Sequence, residues 1–139
     1  MQKIILITAL FLGSVATSIA QEKYTVTVEF SGMKSDTGKL YVALYDSEAQ
    51  FLKKGIRREI VEVNDKKAIV TFKDVARGVY AVSSFHDVNN NQKMDTRIFG
   101  IPKEPVGISN NAKGFMGPPK FEDAKFEVTK NTTLQIQVN

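Results

Sequence analysis

Lys23-Tyr24-Thr25-Val26-Thr27-Val28-Glu29-Phe30 is the stretch that decides the fold. Tyr24, Val26, Val28 and Phe30 alternate with Lys23, Thr25, Thr27 and Glu29. Successive side chains of an extended chain point to opposite faces, so a period of two marks a strand with one face in a core and the other in water. The same period recurs downstream. Ser31 to Gly38 is a polar, glycine-containing connection, and Leu40 to Tyr45 is apolar on both faces, which places it centrally in a sheet. Ser47 to Leu52 is expected to form one helical turn capped by Asp46 or Ser47. Ile56, Ile60, Val61 and Val63 suggest a third strand, and Asn64-Asp65-Lys66 a turn. Ala68, Val70 and Phe72 alternate with Lys67, Ile69, Thr71 and Lys73 in a fourth, and Arg77-Gly78 opens a fifth from Val79 to His86. Phe121–Val128 and the alternating Leu134, Ile136 and Val138, separated by Lys130-Asn131, read as a closing hairpin. No amphipathic helix of useful length is present. The expected fold is all-β: a single β-sandwich of immunoglobulin-like or transthyretin-like type, about seven strands with one long ordered loop.

Upstream, Met1-Gln2-Lys3 is a short positive start, Ile4 to Leu12 an apolar run broken only by Thr8, and Ser18-Ile19-Ala20 a small-x-small cleavage pattern. Residues 1–20 are read as a cleaved signal peptide and 21–139 as the sandwich domain. The apolar run ends in Ser, Thr and Gly, poor material for crossing about 30 Å of hydrocarbon, so no stable membrane insertion is expected. The protein is expected to be exported, periplasmic or secreted.

The full chain has 139 residues, of a size for one domain. Hydrophobic residues are 42% and charged residues 24%, which excludes a disordered or collagen-like chain and a multi-spanning membrane protein. With no Cys, disulfides, thiolate metal sites and thiol catalysis are excluded, and a single His excludes a His-rich metal site. Lys and Arg outnumber Asp and Glu by 19 to 15 but are scattered along strands and turns; without a basic stripe, nucleic acid is not an expected partner.

Asp87 to Lys120 breaks the pattern: a long, turn-rich stretch in which Ile98, Phe99, Ile101, Val106, Ile108, Phe115 and Met116 interleave with Gly, Pro and Asn. Structureless loops beyond about 12–15 residues are uncommon in compact domains, so either strands hide here or the loop has a job. Its opening, Asp87-Val88-Asn89-Asn90-Asn91-Gln92-Lys93-Met94-Asp95, carries side-chain oxygens at positions 1, 3, 5 and 9. That is the spacing of a calcium loop, in which alternate residues turn hard oxygens inward. The expected metal residues are Asp87, Asn89, Asn91, Asp95 and, through its carbonyl, Lys93. Two positions depart from the full pattern: Gln92 stands where Gly usually makes the turn, and Ile98 where a bidentate Glu would close the shell. A distant acid such as Glu104, Glu122 or Asp123 would have to complete it. The competing reading is a metal-free turn held by Asx hydrogen bonds. The expected binding-loop residues are His86, Ser109, Asn110, Asn111 and Phe115. Ser84, His86 and Asp87 invite a nucleophile reading, but no Gly-x-Ser-x-Gly elbow accompanies them.

Phe85-His86-Asp87-Val88-Asn89-Asn90-Asn91, Lys93-Met94-Asp95, Gly100-Ile101-Pro102-Lys103-Glu104, Gly107, Ser109-Asn110-Asn111-Ala112 and Gly114-Phe115-Met116-Gly117-Pro118-Pro119 together resemble a bacterial family of secreted proteins catalogued as a domain of unknown function. The Gly38-Lys39-Leu40 and Gly78-Val79-Tyr80-Ala81 strand starts and the Ala43-Leu44-Tyr45 segment with Phe51 fit it as well. The resemblance implies a small exported β-sandwich and no reaction; the family more usually carries Gly at the position of Gln92. Two functions follow as expectations. One is a non-enzymatic binding or structural module, calcium-stabilised at the Asp87–Asp95 loop, that contacts a glycan, a peptide or an envelope protein. The other is a hydrolase using His86 and nearby carboxylates.

Overall fold

The computed structural model describes residues 20–139. The expected signal sequence lies outside the described residues except for Ala20. Two sheets form the body. In the first, β1 (Lys23–Ser31) is central, antiparallel to β4 (Ala68–Ala76) and parallel to β8 (Thr132–Gln137). In the second, β2 (Lys39–Tyr45) lies between β3 (Arg57–Glu62) and β5 (Gly78–Asp87), all antiparallel. The other edge of β5 is shared end to end. β7 (Phe126–Val128) pairs with Gly78–Tyr80, and β6 (Val106–Ile108) pairs with Ser83–Phe85.

The core between the sheets is built from the alternation seen in the sequence. Val26, Val28 and Phe30 of β1, with Val70 and Phe72 of β4 and Ile136 of β8, pack against Leu40, Val42, Leu44 and Val82 of the second sheet. Every one of them is almost fully buried, and burying each such side chain contributes on the order of 2 kcal/mol. The all-β sandwich is therefore what forms. Its strand order differs from that of immunoglobulin constant domains, in which the first strand pairs with the second; here β1 pairs with β4 and β8.

The apolar character of both faces of Leu40–Tyr45 also has its cause. The outer face of the second sheet carries a smaller core, in which Tyr45, Ala81 and Ile108 pack with Phe51, Phe121 and Ala124. Phe51 meets the ring of Tyr45 edge-on at 5.3 Å and that of Phe121 at 5.7 Å. It rides on a run of hydrogen-bonded turns after β2, where the helical turn was expected; Leu52 at φ 59° interrupts any helix there.

The chain's end differs from the expected hairpin. Phe121–Ala124 is a single helical turn (α1), only Phe126–Val128 is extended, and it joins β5. β8 then crosses to the other sheet and lies beside β1. Two alternating runs with a short turn between them have the pattern of a hairpin, but here each run fills the open edge of a different sheet over one core. One strand, β6, was hidden inside the long turn-rich stretch.

Ser109 fills the gap between β6 and β7 on the edge of β5. Its fully buried Oγ accepts the Val82 N–H at 2.9 Å and donates to the Ala124 carbonyl at 2.6 Å. Among the described residues, no helix is long and apolar enough to cross a membrane.

Candidate functional site

β5 ends at Asp87, and the chain turns at once. The buried Asp87 carboxylate accepts the Asn91 N–H at 3.2 Å and the Gln92 N–H at 2.8 Å, one on each oxygen. Asn89 and Asn91 donate their amides to the Asp95 carboxylate at 2.6 and 2.8 Å. Each asparagine oxygen in turn accepts a main-chain N–H two residues on, Asn91 for Asn89 and Lys93 for Asn91. The amide hydrogen bonds, that of Asn89 first, hold the Asp95 carboxyl below its ordinary range. Four of the five expected metal residues, Asp87, Asn89, Asn91 and Asp95, thus join in one network through their side chains, and Lys93 joins through its main chain. Gln92, where the pattern wants Gly, adopts the left-handed conformation at φ 66°. The chain makes the required turn without the residue that makes it easy.

Of the three distant acids, Glu104 is the one that the chain brings back to this loop. After Asp95, the segment folds into a narrow hairpin: Thr96 bridges to Pro102, and the Lys103 N–H donates to the Asp95 carbonyl at 2.8 Å. The returning arm extends the β5–β6 ladder, Phe85 opposite Val106 and the His86 N–H donating to the Pro105 carbonyl. One step further along this arm comes Glu104, close enough to Asp87 to feel its charge. Glu104 is 8% exposed, and neither of its carboxyl oxygens has a hydrogen-bond partner. Burial, and then the charge of Asp87, push its carboxyl from 4.5 up to about 7. Glu122 and Asp123 do not reach this place; both sit on α1, and Glu122 pairs with Lys125 at 2.9 Å. Among the described residues, no three His, Asp or Glu side chains are gathered tightly enough to hold an ion by themselves. Asp87 and Asp95 nevertheless both raise the Glu104 carboxyl through their charge. The three acids are neighbours, with their intervening space shared by the asparagine amides.

His86 and Ser84 face the interior and not each other. The His86 Nε2–H donates to the Thr37 carbonyl at 2.6 Å, while Ser84 Oγ donates to the Gly107 carbonyl at 2.9 Å. That His86 contact fixes the β1–β2 connection against the loop. Gly38, at φ 74°, lies so close that a Cβ there would stand 1.8 Å from the Asp87 carbonyl oxygen. His86 and Ser109 are thus buried fastenings, at 1% and 0% exposure. Asn110 and Asn111 are exposed but also tie strands together. The Asn110 amide donates to the Asp123 and Lys125 carbonyls, and Asn111 Oδ1 accepts the Gln137 N–H. Phe115 is 90% exposed, and Asn111, whose Nδ2 makes no hydrogen bond among the described residues, lines an open cleft.

Gly114 and Gly117, on either side of Phe115 and Met116, line the rim of a larger surface. On the uncovered half of the outer face, Tyr41 of β2 and Phe85 of β5 stack at 4.8 Å with their planes 11° apart. This platform floors an open cleft lined also by Ile60, Phe99, Ile101 and Pro118. Phe99 is 96% exposed, and Met116, the neighbour of Phe115, is 94% exposed. The sequence held a usable sign of the platform. Tyr41 and Phe85 share the parity of Ala43 and Ser83, opposite to that of the buried Val42 and Ser84.

One family model matches the chain, over residues 28–137: an uncharacterized protein conserved in bacteria, DUF2141. No curated protein and no solved structure matches it.

Proposed function

The chain belongs to DUF2141, and from that premise we propose that it is an exported, non-enzymatic binding module that takes an apolar segment of a peptide or envelope protein into the cleft over Tyr41 and Phe85. The observation that carries this is the exposure of Phe99 in a cleft that also holds the stacked pair of Tyr41 and Phe85. Scattered apolar side chains on a surface are ordinary, but Ile60, Phe99, Ile101 and Pro118 gathered in one cleft with an aromatic pair have the composition of a binding face. The mainly apolar lining favours a peptide or protein over a glycan, which would need more convergent polar groups. The hydrolase reading has less support. It needs a nucleophile bonded to its base, whereas Ser84 and His86 each bond to a main-chain carbonyl.

The test is selection against the folded domain with a random peptide library on one side and a glycan array on the other. Peptides with aromatic or aliphatic anchors are expected, and Tyr41→Ser and Phe99→Ser should release them. Enrichment of glycans alone would replace the peptide reading. Hydrolysis of an ester or peptide substrate abolished by His86→Ala would replace the module by an enzyme.

A further inference from the structure

We propose that Glu104 closes a calcium site whose other ligands come from the Asp87–Asp95 loop. The inference stands apart from the cleft and its partner, since it rests on a different observation. Glu104 lies two residues beyond the last β5–β6 pair, Phe85 with Val106, and one beyond the His86–Pro105 hydrogen bond, where the charge of Asp87 acts on it. Like charges held close together destabilise the pair. Here both members are nine-tenths buried or more, so water does little to screen them. Asp87 meets this cost in part with the two N–H groups that it accepts. Glu104 has no such bond on either oxygen, and among the described residues no Lys or Arg forms an ion pair with either acid. Buried polar groups are almost always partnered, so an orphaned buried carboxyl beside two other acids asks for a cation.

The neighbours supply what calcium takes. It prefers six to eight hard oxygens in adaptable geometry, from carboxylates, amide carbonyls and main-chain carbonyls. Asp87, Asp95 and Glu104 give carboxylates, Asn89 and Asn91 give amide oxygens, and Lys93 gives its carbonyl. The two asparagine amides now turn their nitrogens to Asp95. A half-turn of each exchanges nitrogen for oxygen beside Asp95, at the cost of the main-chain N–H that each oxygen now accepts, which the ion must offset. Magnesium demands a stricter octahedron and keeps its waters, which suits this mixed set less well. Glu104 takes the part that a loop-closing Glu plays at position 12. The hairpin between Asp95 and Lys103 delivers it from outside the loop.

The chain from Gln21 onward holds every strand of both sheets and is the protein to use. After EDTA treatment it is titrated with calcium chloride, followed by calorimetry and thermal unfolding. A site that binds only the folded state raises the melting temperature as calcium is added. Glu104→Gln should weaken calcium binding by about tenfold or more, while Glu122→Gln should leave it unchanged. In EDTA, Glu104→Gln is expected to fold and to melt no lower than the unmodified chain, because it removes a buried like-charge pair without removing volume. Absence of both heat and a melting shift up to about 10 mM calcium overturns the site, since extracellular calcium modules already bind in the millimolar range. Equal affinity in Glu104→Gln and the unmodified chain overturns the role of Glu104.

Discussion

Gly38 shows how closely the loop is held. Its φ of 74° lies where glycine is at ease and other residues lose about 1–2 kcal/mol. A methyl group there would also overlap the carbonyl of Asp87, which cannot move without pulling on the loop. Gly38→Ala is expected to lower stability by at least about 2 kcal/mol in urea unfolding. Gly100→Ala is the control: its φ is 71° but nothing lies within 4 Å, so only the backbone cost of about 1 kcal/mol should appear. Glu104 sets a second expectation at this scale. In metal-free protein its carboxyl binds a proton more tightly folded, at about 7, than unfolded, near 4.5. The folded state therefore holds more protons across that interval, and stability falls as pH rises from 4.5 to 7. The loss should be on the order of 2 kcal/mol, and denaturant midpoints measured in EDTA should become nearly flat over this interval in Glu104→Gln.

At the scale of elements, the Asp87–Asp95 loop makes a left-handed turn on Gln92 where glycine would be unstrained. The Gln92 side chain makes no hydrogen bond among the described residues; only its N–H is used, by Asp87. Gln92→Gly keeps that bond and should stabilise the domain by up to about 1 kcal/mol, read from its urea midpoint. Elements also mark where the sequence was legible. β1 and β4 were readable because each buries one face against the core and so alternates, and β2 because side chains on both of its faces pack into a core, so that it reads as an apolar run. β6 was not, because it is three residues long and owes its pairing to β5 and not to any pattern of its own. The pairing of β7 and β8 was misread for the same reason: alternation tells which face is buried and not which sheet edge is open. The grouping of Asp87, Asn89, Asn91 and Asp95 in one hydrogen-bond network was legible from spacing alone, because it is local. Glu104 could only be named beside Glu122 and Asp123, since its selection depends on a hairpin and a ladder register. Nothing local distinguishes the fastenings His86 and Ser109 from ligand-facing residues: both are polar, and only the packed structure turns them inward.

At the scale of the molecule, the first sheet depends on its ends. β1 lies between β4 and β8, and β8 closes one side of the core with Ile136 and, just beyond it, Val138, at 1% and 0% exposure. A chain ending at Lys130 would leave β1 with an unpaired edge and open the core beneath it. It is expected to lose its cooperative thermal transition in circular dichroism, whereas removal of Asn139 alone, an exposed residue, should leave a transition.

The parallel pairing of β1 with β8 also bears on how the protein is born. The central strand of the first sheet leaves the ribosome early, and its β8 partner about a hundred residues later. Contacts so distant in sequence form slowly, because the intervening chain must be ordered before they yield anything. Until β8 emerges, the nascent protein has no finished sandwich to fall into. One edge of the central strand therefore waits open until β8 has been made, and the sheet is finished by the last of its strands.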